Sequence, residues 1–466
     1  MIYLEKESKL PLYEQIYQQM KRDIESGTVK AGTLLPGIRT LSQTLGVARN
    51  TVDKAYTQLA VEGYISSRKG SGFAVNSNKS IFVSKSGCGC FPPSQIAAPE
   101  HLRKTETIKY DFQYGNFPPD CFPSAAWKKA ISKALSSFGM TQYHEKQGNL
   151  SLRRELRSYL NQSRGVVCEE DQIVVGCGLH SSLDILCKLF ADRKKIAMEE
   201  PGYNGAREVF QNNGFSLFPI SVGAAGIDPA SLKDADVCAA YVTPSHQFPM
   251  GSVLSVGRRK ELLKWARDHG AFLIEDDYDS EYRYDANPVP SLQSLDQDDR
   301  VAYIGTFSKS FSPALRVNYM VLPKRLLPQY LRLFSSYSSP ASWLTQEALA
   351  RYVASGEYTR NVRRMCAAYR KRHDVLTQEI SRQFGERVVI HGRGAGLHLI
   401  LEFPKGADSS RLIQRAEEAG VHVYPVQPFW FHPENCPENL VFVGYSLLDE
   451  QSIREGIRAL RQAWLL

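Results

Sequence analysis

Ile304-Gly305-Thr306-Phe307-Ser308-Lys309-Ser310-Phe311-Ser312, with Arg316 seven residues beyond the lysine, decides how this chain is read. A lysine among small hydroxyl residues, close to an arginine, suits a site that holds an aldehyde and a phosphate together. The amine condenses with the aldehyde to a Schiff base, while Ser308, Arg316 and neighbouring backbone N–H groups hold the dianion. About thirty residues upstream lies Ile274-Glu275-Asp276-Asp277-Tyr278, an apolar run that ends in carboxylates and a phenol. An imine-forming lysine, a carboxylate for a pyridinium nitrogen and a phosphate clamp are what pyridoxal 5'-phosphate requires. A surface Ser-Lys-Ser turn and an acidic loop would explain each motif alone, but not their order and spacing.

Outward from this pair, short β-rich runs alternate with helical stretches. The runs are Gln172–Val175, Lys195–Met198, Ala239–Val242, Ala271–Ile274 and Val301–Ile304, and an amphipathic helix spans Val256 to His269. This alternation predicts an α/β layered domain with a mainly parallel sheet, whose sites collect at the C-terminal strand ends. Those ends carry Gly176-Cys177-Gly178-Leu179-His180-Ser181, Glu200-Pro201-Gly202-Tyr203, Thr243-Pro244, Glu275 to Tyr278, and Thr306 to Lys309. The glycine turn opens a helix, so its free N–H groups and helix dipole favour phosphate near Leu179 and His180. Tyr203 offers an aromatic face to a pyridine ring or serves as a rim tyrosine; the sequence leaves both open. Asp276 would keep the ring nitrogen protonated, and Tyr278 would donate to the ring oxygen.

Residues 1–76 form a separate unit. Leu12, Ile16, Met20 and Ile24 lie four apart on a helix that begins near Pro11 and closes at Gly27. A short helix around Ile38 to Leu45 is broken at Gly46 before a second run from Val47 to Leu59. Two short helices joined by a glycine turn make a helix-turn-helix, and the second presents Arg49, Asn50 and Thr51 to a major groove. Two apolar-alternating arms around Arg68-Lys69-Gly70 make a hairpin with a basic tip, a wing suited to phosphate or minor-groove contact. Ten Lys and Arg against seven Asp and Glu give this unit only +3, so the DNA reading rests on where Arg39, Arg49, Arg68 and Lys69 sit. Residues 77–108, rich in Ser, Lys, Pro and Gly, read as a tether containing Cys88 and Cys90. Residues 109–466 are the second domain, with a large part at about 140–335 and a small C-terminal α+β part at about 336–466.

At 466 residues with 43% hydrophobic and 23% charged residues, the composition is that of a globular protein of two or three domains. No apolar run approaches the roughly 20 residues needed to span a bilayer, and the charged N-terminus does not read as a signal peptide. Nine scattered cysteines fit a reduced cytoplasm and give no metal-site spacing. The net charge of +8 is mild and does not by itself indicate nucleic acid.

Two resemblances follow. The first unit resembles the GntR-type winged helix through Pro11-Leu12-Tyr13-Glu14-Gln15-Ile16, Leu35-Pro36 with Arg39, Leu45-Gly46-Val47 with Arg49-Asn50-Thr51-Val52, and Glu62-Gly63-Tyr64 with Gly70-Ser71-Gly72. It departs at Gly37-Ile38, where that family usually has a serine pair. The rest resembles fold-type I, aspartate-aminotransferase-like proteins, with further matches at Tyr143-His144-Glu145-Lys146-Gln147-Gly148, Leu152 to Leu156, and Thr243 to Gly251. The resemblance implies a homodimer in which Tyr143 reaches the partner's cofactor phosphate. The fusion of these two halves resembles MocR-type transcriptional regulators, which implies operator DNA, pyridoxal phosphate and a small amine effector.

Departures from the aminotransferases bear on function. Their C-terminal carboxylate-gripping arginine is missing from Asn439-Leu440-Val441-Phe442-Val443-Gly444-Tyr445-Ser446, and Phe248 and Met250 replace their asparagine and threonine. Losing a bidentate clamp weakens substrate positioning and turnover. Arg207, Arg393 and His391 are the alternative anchors the sequence offers. Three readings compete: a sensor of an amine (or of the cofactor itself) that regulates DNA binding, an active aminotransferase with a DNA-binding appendage, and a DNA-binding protein with an empty domain. The intact Lys309, Asp276, Tyr278 and Arg316 with the missing clamp favour the first.

Overall fold

The computed structural model describes residues 2–5, 8–68, 72–76, 108–284 and 289–464. The chain separates into two compact units, Met1–Arg103 and Lys104–Leu466.

In the first unit, helices α1 (Leu12–Glu25), α2 (Ile38–Leu45) and α3 (Arg49–Val61) precede the antiparallel pair β1 (Ile65–Arg68) and β2 (Gly72–Val75). The four-residue spacing on α1 buries Ile16, Met20 and Ile24 against Val52, Ala55, Tyr56 and Leu59 of α3, with Ile65 and Val75 completing the core. Fully burying each such aliphatic side chain contributes about 1.5–3 kcal/mol, and this core holds a unit too small for further layers. Gly46 caps α2 at φ +62°, a left-handed conformation that favours glycine, and so turns the chain into α3. The Tyr56 hydroxyl donates to the Pro36 carbonyl at 2.8 Å and ties the approach to α2 onto α3.

The second unit is built on an eight-stranded sheet in the order Ile173–Gly176, Asn318–Val321, Val301–Thr306, Phe272–Asp277, Ala239–Val242, Lys195–Glu200, Ser216–Gly223, Gly226–Ile227. Asn318–Val321 and the short edge strand Gly226–Ile227 run antiparallel to their neighbours; the other pairings are parallel. The fold class read from the sequence is the one observed, and each expected β-run overlaps a strand, with Gln172 and Ala271 falling just before theirs. Lys195–Glu200, Phe272–Asp277 and Val301–Thr306 run further than expected, carrying regular structure into the motif residues.

A second, antiparallel sheet contains Val389–His391, His398–Glu402, Leu440–Gly444 and Tyr424–Pro425. Strand alternation gives it two faces. Leu399, Leu401, Val441 and Val443 pack with Met365, Tyr369, Leu376 and Ile380 of the 28-residue helix Glu357–Phe384, and with Ile453, Ile457 and Leu460 of helix Glu450–Trp464. Ile400, Leu440 and Phe442 cluster instead with Phe248, Val426 and Trp430, toward the large sheet's strand ends. Among the described residues no helix is long and apolar enough to cross a membrane.

Candidate functional site

At the C-terminal edge of the large sheet lies a cavity of about 560 Å3. Its lining contains Leu179, His180, Tyr203, Asp276, Tyr278, Thr306, Ser308, Lys309 and Arg316, nine of the ten residues singled out for cofactor binding. The tenth, Tyr143, is fully exposed and does not line it.

Alternation along Phe272–Asp277 explains why only the middle carboxylate of Glu275-Asp276-Asp277 faces the cavity. Glu275 accepts the backbone N–H groups of Leu292 and Gln293 at 2.6 and 2.9 Å. Asp277 takes the Arg164 guanidinium at 2.7 and 3.2 Å, together with the Tyr303 and Ser280 hydroxyls. Arg164 holds the Asp277 carboxyl below its usual range against the opposing effect of burial. Both residues are therefore committed to the scaffold. Asp276 lines the cavity with the Tyr241 hydroxyl as donor, and burial raises its pKa to about 7. A positive ring nitrogen beside it would return that carboxyl to the charged form.

Lys309 sits in the one-turn helix Phe307–Ser310, whose start is fixed by Thr306 Oγ1 accepting the Ser308 N–H at 3.0 Å. Its ammonium lies 4.3 Å from the centre of the Tyr114 ring and 3.3 Å from the Gly115 carbonyl. Burial lowers the Lys309 pKa to about 8, although Asp279 and Asp276 oppose the change. A lysine so placed is substantially neutral in mildly alkaline solution, as a nucleophilic amine must be.

The opposite end of the cavity is a cradle. Gly178 has φ +102° and caps the helix Leu179–Leu189, whose first-turn N–H groups have no acceptor within the helix. A Cβ on Gly178 would stand 2.5 Å from Arg316 Nη2, so only glycine leaves the guanidinium room. Arg316 is itself left-handed at φ +51°. Asn318 accepts the Gly178 N–H at 3.0 Å and donates to Ser182 Oγ at 2.8 Å, while Ser181 Oγ accepts the Cys177 N–H at 2.9 Å. An arginine, a helix N-terminus and a glycine turn locked by side chains are the groups that a dianion needs. The residues present thus fit pyridoxal phosphate at all three ends: phosphate at Gly178 and Arg316, ring nitrogen at Asp276, aldehyde at Lys309.

Several lining residues escaped the sequence reading. Gln113 and Tyr114 arrive because Gly444 of the small sheet lets their backbone approach; its N–H donates to the Phe112 carbonyl at 2.8 Å, and a Cβ there would meet Gln113 O at 2.6 Å. Tyr424, Phe429 and Phe442 come from the small sheet and its connections. Tyr278 donates to the His246 carbonyl at 2.8 Å. The alternative anchors do not line the cavity: Arg207 donates to the carbonyls of Trp430 and Pro428, His391 pairs with Glu402, and Arg393 is exposed. Asn439 bonds the Phe403 carbonyl. Among the described residues no group of three or more His, Cys, Asp or Glu is placed to hold a metal ion.

In the first unit Arg49 and Asn50 begin α3 and are exposed, with Thr51 half-buried behind them. Arg39 on α2 and Arg68 at the end of β1 are exposed as well. Lys69, Gly70, Cys88 and Cys90 lie outside the described residues.

Residues 12–75 match the model of bacterial regulatory proteins of the gntR family, and residues 107–460 that of aminotransferase class I and II. The chain is 38% identical to the uncharacterized HTH-type transcriptional regulator YdeL of Bacillus subtilis, over 99% of this chain and 98% of that protein. It is 33% identical to the probable rhizopine catabolism regulatory protein MocR of Rhizobium meliloti, over 100% of this chain and 96% of the relative. With the pyridoxine biosynthesis regulator PdxR of Corynebacterium glutamicum it shares 31% identity, over 94% and 93%. The Pyrococcus horikoshii kynurenine aminotransferase superposes with a TM-score of 0.70 at 24% identity, covering 77% of this chain and 91% of the other. LysN, an α-aminoadipate aminotransferase of Thermus thermophilus, superposes at 0.68 and 26%, covering 77% and 92%.

Proposed function

Because this chain belongs to the MocR family of HTH-type transcriptional regulators, a GntR-type helix-turn-helix joined to a class I and II aminotransferase domain, we propose that it controls operator binding through pyridoxal phosphate held at Lys309. The observation that carries this reading is the buried Lys309 amine sharing one cavity with Asp276 and the Gly178–Arg316 cradle. When bound, the cofactor supplies an aldehyde that condenses reversibly with a primary amine, Lys309 first and an effector amine in its place.

The chain's own residues divide the work. Arg316 and the first turn of Leu179–Leu189 hold the phosphate. Asp276 keeps a proton at the pyridine nitrogen, Tyr278 donates to the ring oxygen once its hydroxyl turns from the His246 carbonyl, and Tyr203 packs on the ring. Thr306 and Ser308 fix the turn that presents Lys309. Tyr143 extends to the cofactor phosphate of a second copy, in keeping with its full exposure, and the chain acts as a cytoplasmic homodimer. The free Lys309 amine rests against Tyr114 and Gly115, so a lysine holding the cofactor would make different contacts from one that does not. At the operator, Arg49, Asn50 and Thr51 read the major groove, while Arg39, Arg68, Lys69 and Gly70 take phosphates.

Among the described residues the cavity's lining has no second arginine able to grip a substrate carboxylate, which favours sensing over turnover. The reading is tested by following absorbance and operator affinity together as amines are added. A spectral change accompanied by altered DNA affinity, without keto product, supports it. Sustained transfer of amino groups to a keto acid would establish an aminotransferase instead.

A further inference from the structure

The cavity wall beyond Lys309 is aromatic. Tyr114, Phe248, Phe429 and Phe442 all line it, and their rings touch one another: Phe248–Phe429 at 4.8 Å, Tyr114–Phe248 and Phe429–Phe442 at 5.7 Å, and Tyr114–Phe442 at 5.8 Å between centroids. Tyr114 connects this box to the chemistry, since its ring faces the Lys309 ammonium at 4.3 Å. Phe442 points inward for a structural reason: on Leu440–Gly444 the neighbouring Val441 and Val443 are spent on the small domain's helices, and Phe442 takes the other face. Phe248 is held buried by its backbone N–H donating to Thr243 Oγ1 at 3.1 Å.

Cations are scarce in this cavity. Among the described residues its lining contains Lys309, Arg316 and His180, and Arg316 lies at the Gly178 cradle. The Arg207 guanidinium is spent on the Trp430 and Pro428 carbonyls at 2.6 and 2.7 Å. Lys309 meets this box at Tyr114 alone; a carboxylate carried among the other three rings loses its hydration with no cation of the described lining beside it, whereas an aryl or alkyl group gains the whole wall.

We infer that the effector recognised here is a primary amine with an aryl or alkyl body and no carboxylate on the carbon bearing the amine, received by the box of Tyr114, Phe248, Phe429 and Phe442. This rests on the reading that an amine meets the cofactor at Lys309, and it deepens that reading by fixing the amine's class.

The test uses the full chain loaded with pyridoxal phosphate, titrated with 2-phenylethylamine and with L- and D-phenylalanine, which differ from it by the carboxylate alone. Affinity is read from the cofactor's absorbance and, separately, from the change in operator binding. The wild type is expected to bind 2-phenylethylamine at least about tenfold more tightly than either phenylalanine. Phe429, half-buried on a short turn, is the position for variants. Phe429→Ala should weaken 2-phenylethylamine severalfold, and Phe429→Arg should narrow or reverse the preference by supplying a cation. Equal or tighter binding of phenylalanine by the wild type overturns the inference, as does a cofactor-loaded protein that responds to none of the three. Failure of the wild type to bind pyridoxal phosphate through Lys309 is a different result, and it removes the reading beneath the inference.

Discussion

Gly178→Ala puts one methyl group into the phosphate cradle, and the structure states what that methyl meets. At ideal geometry the Cβ would lie 2.5 Å from Arg316 Nη2 and 3.1 Å from its Cζ, closer than any ordinary contact. The guanidinium must move, because Gly178 itself is fixed by its N–H on Asn318 Oδ1. A charge-assisted hydrogen bond is worth about 1.5–3 kcal/mol, so displacing Arg316 should weaken pyridoxal phosphate by roughly ten- to a hundredfold. Alanine at φ +102° and ψ 166° also occupies backbone space that essentially only glycine visits, at a cost on the order of 1–3 kcal/mol to the folded state. Titrating cofactor into the apoprotein and reading absorbance separates the two effects from a melting curve on the same samples. Lys309 is untouched, so the saturated variant should show the wild-type spectrum, reached at higher cofactor concentration. Unchanged cofactor affinity in a folded Gly178→Ala protein would refute the cradle.

Other consequences follow from the same geometry. Arg49→Ala, at the start of α3, should weaken operator binding and reduce its dependence on log salt by about one unit if a phosphate contact is lost, while leaving cofactor binding unchanged; an unaltered salt slope and specificity would count against this role. Capture of pyridoxal phosphate by the apoprotein requires the neutral amine, so its rate should rise with pH and level off above about 8, well below an ordinary lysine; stopped-flow absorbance measures the midpoint. Asp276→Asn bears on stability: burial raises the Asp276 pKa from 3.8 to about 7, so the folded apoprotein holds a proton there that the unfolded chain has lost. Stability contributed by this group therefore falls as pH rises from near 4 to near 7 and stays reduced above it. The variant should remove that share, on the order of 4 kcal/mol, from a decline to which Glu199, Glu275 and Glu281 add in the same direction. Denaturant titrations of the apoprotein at pH 4 and 8 reveal it.

The sequence reached furthest where local rules govern. Four-residue spacing placed Ile16, Met20 and Ile24 on one face of α1, and Gly46 marked the break before a helix that begins at Arg49. Four of the β-rich runs became the parallel strands at the middle of the large sheet because buried parallel strands are short, apolar and bounded by glycine-containing turns, while the run at Gln172–Val175 became its antiparallel edge. Asp276 was singled out in the sequence, and the strand's extension through all three carboxylates puts it on the face opposite Glu275 and Asp277. The aromatic box was not legible in this way. Tyr114, Phe248, Phe429 and Phe442 are separated by more than three hundred residues at their extremes, and ordinary apolar patterning surrounds each. Only the pairing of Leu440–Gly444 within the small sheet, and the close approach permitted by Gly444, bring Tyr114 and Phe442 to Lys309. The buried Arg164–Asp277 pair was missed for the same reason, since 113 residues separate its members.

The central claim is that an amine acting at Lys309 changes how the amino-terminal unit holds DNA. Operator affinity of the cofactor-treated full chain, measured with and without the amine for the wild type and Lys309→Ala side by side, tests it most directly. The account predicts an amine-dependent change in the wild type and none in the folded variant. An equal response in both proteins, or none in a wild type shown to carry the cofactor on Lys309 and to bind the amine, would contradict it.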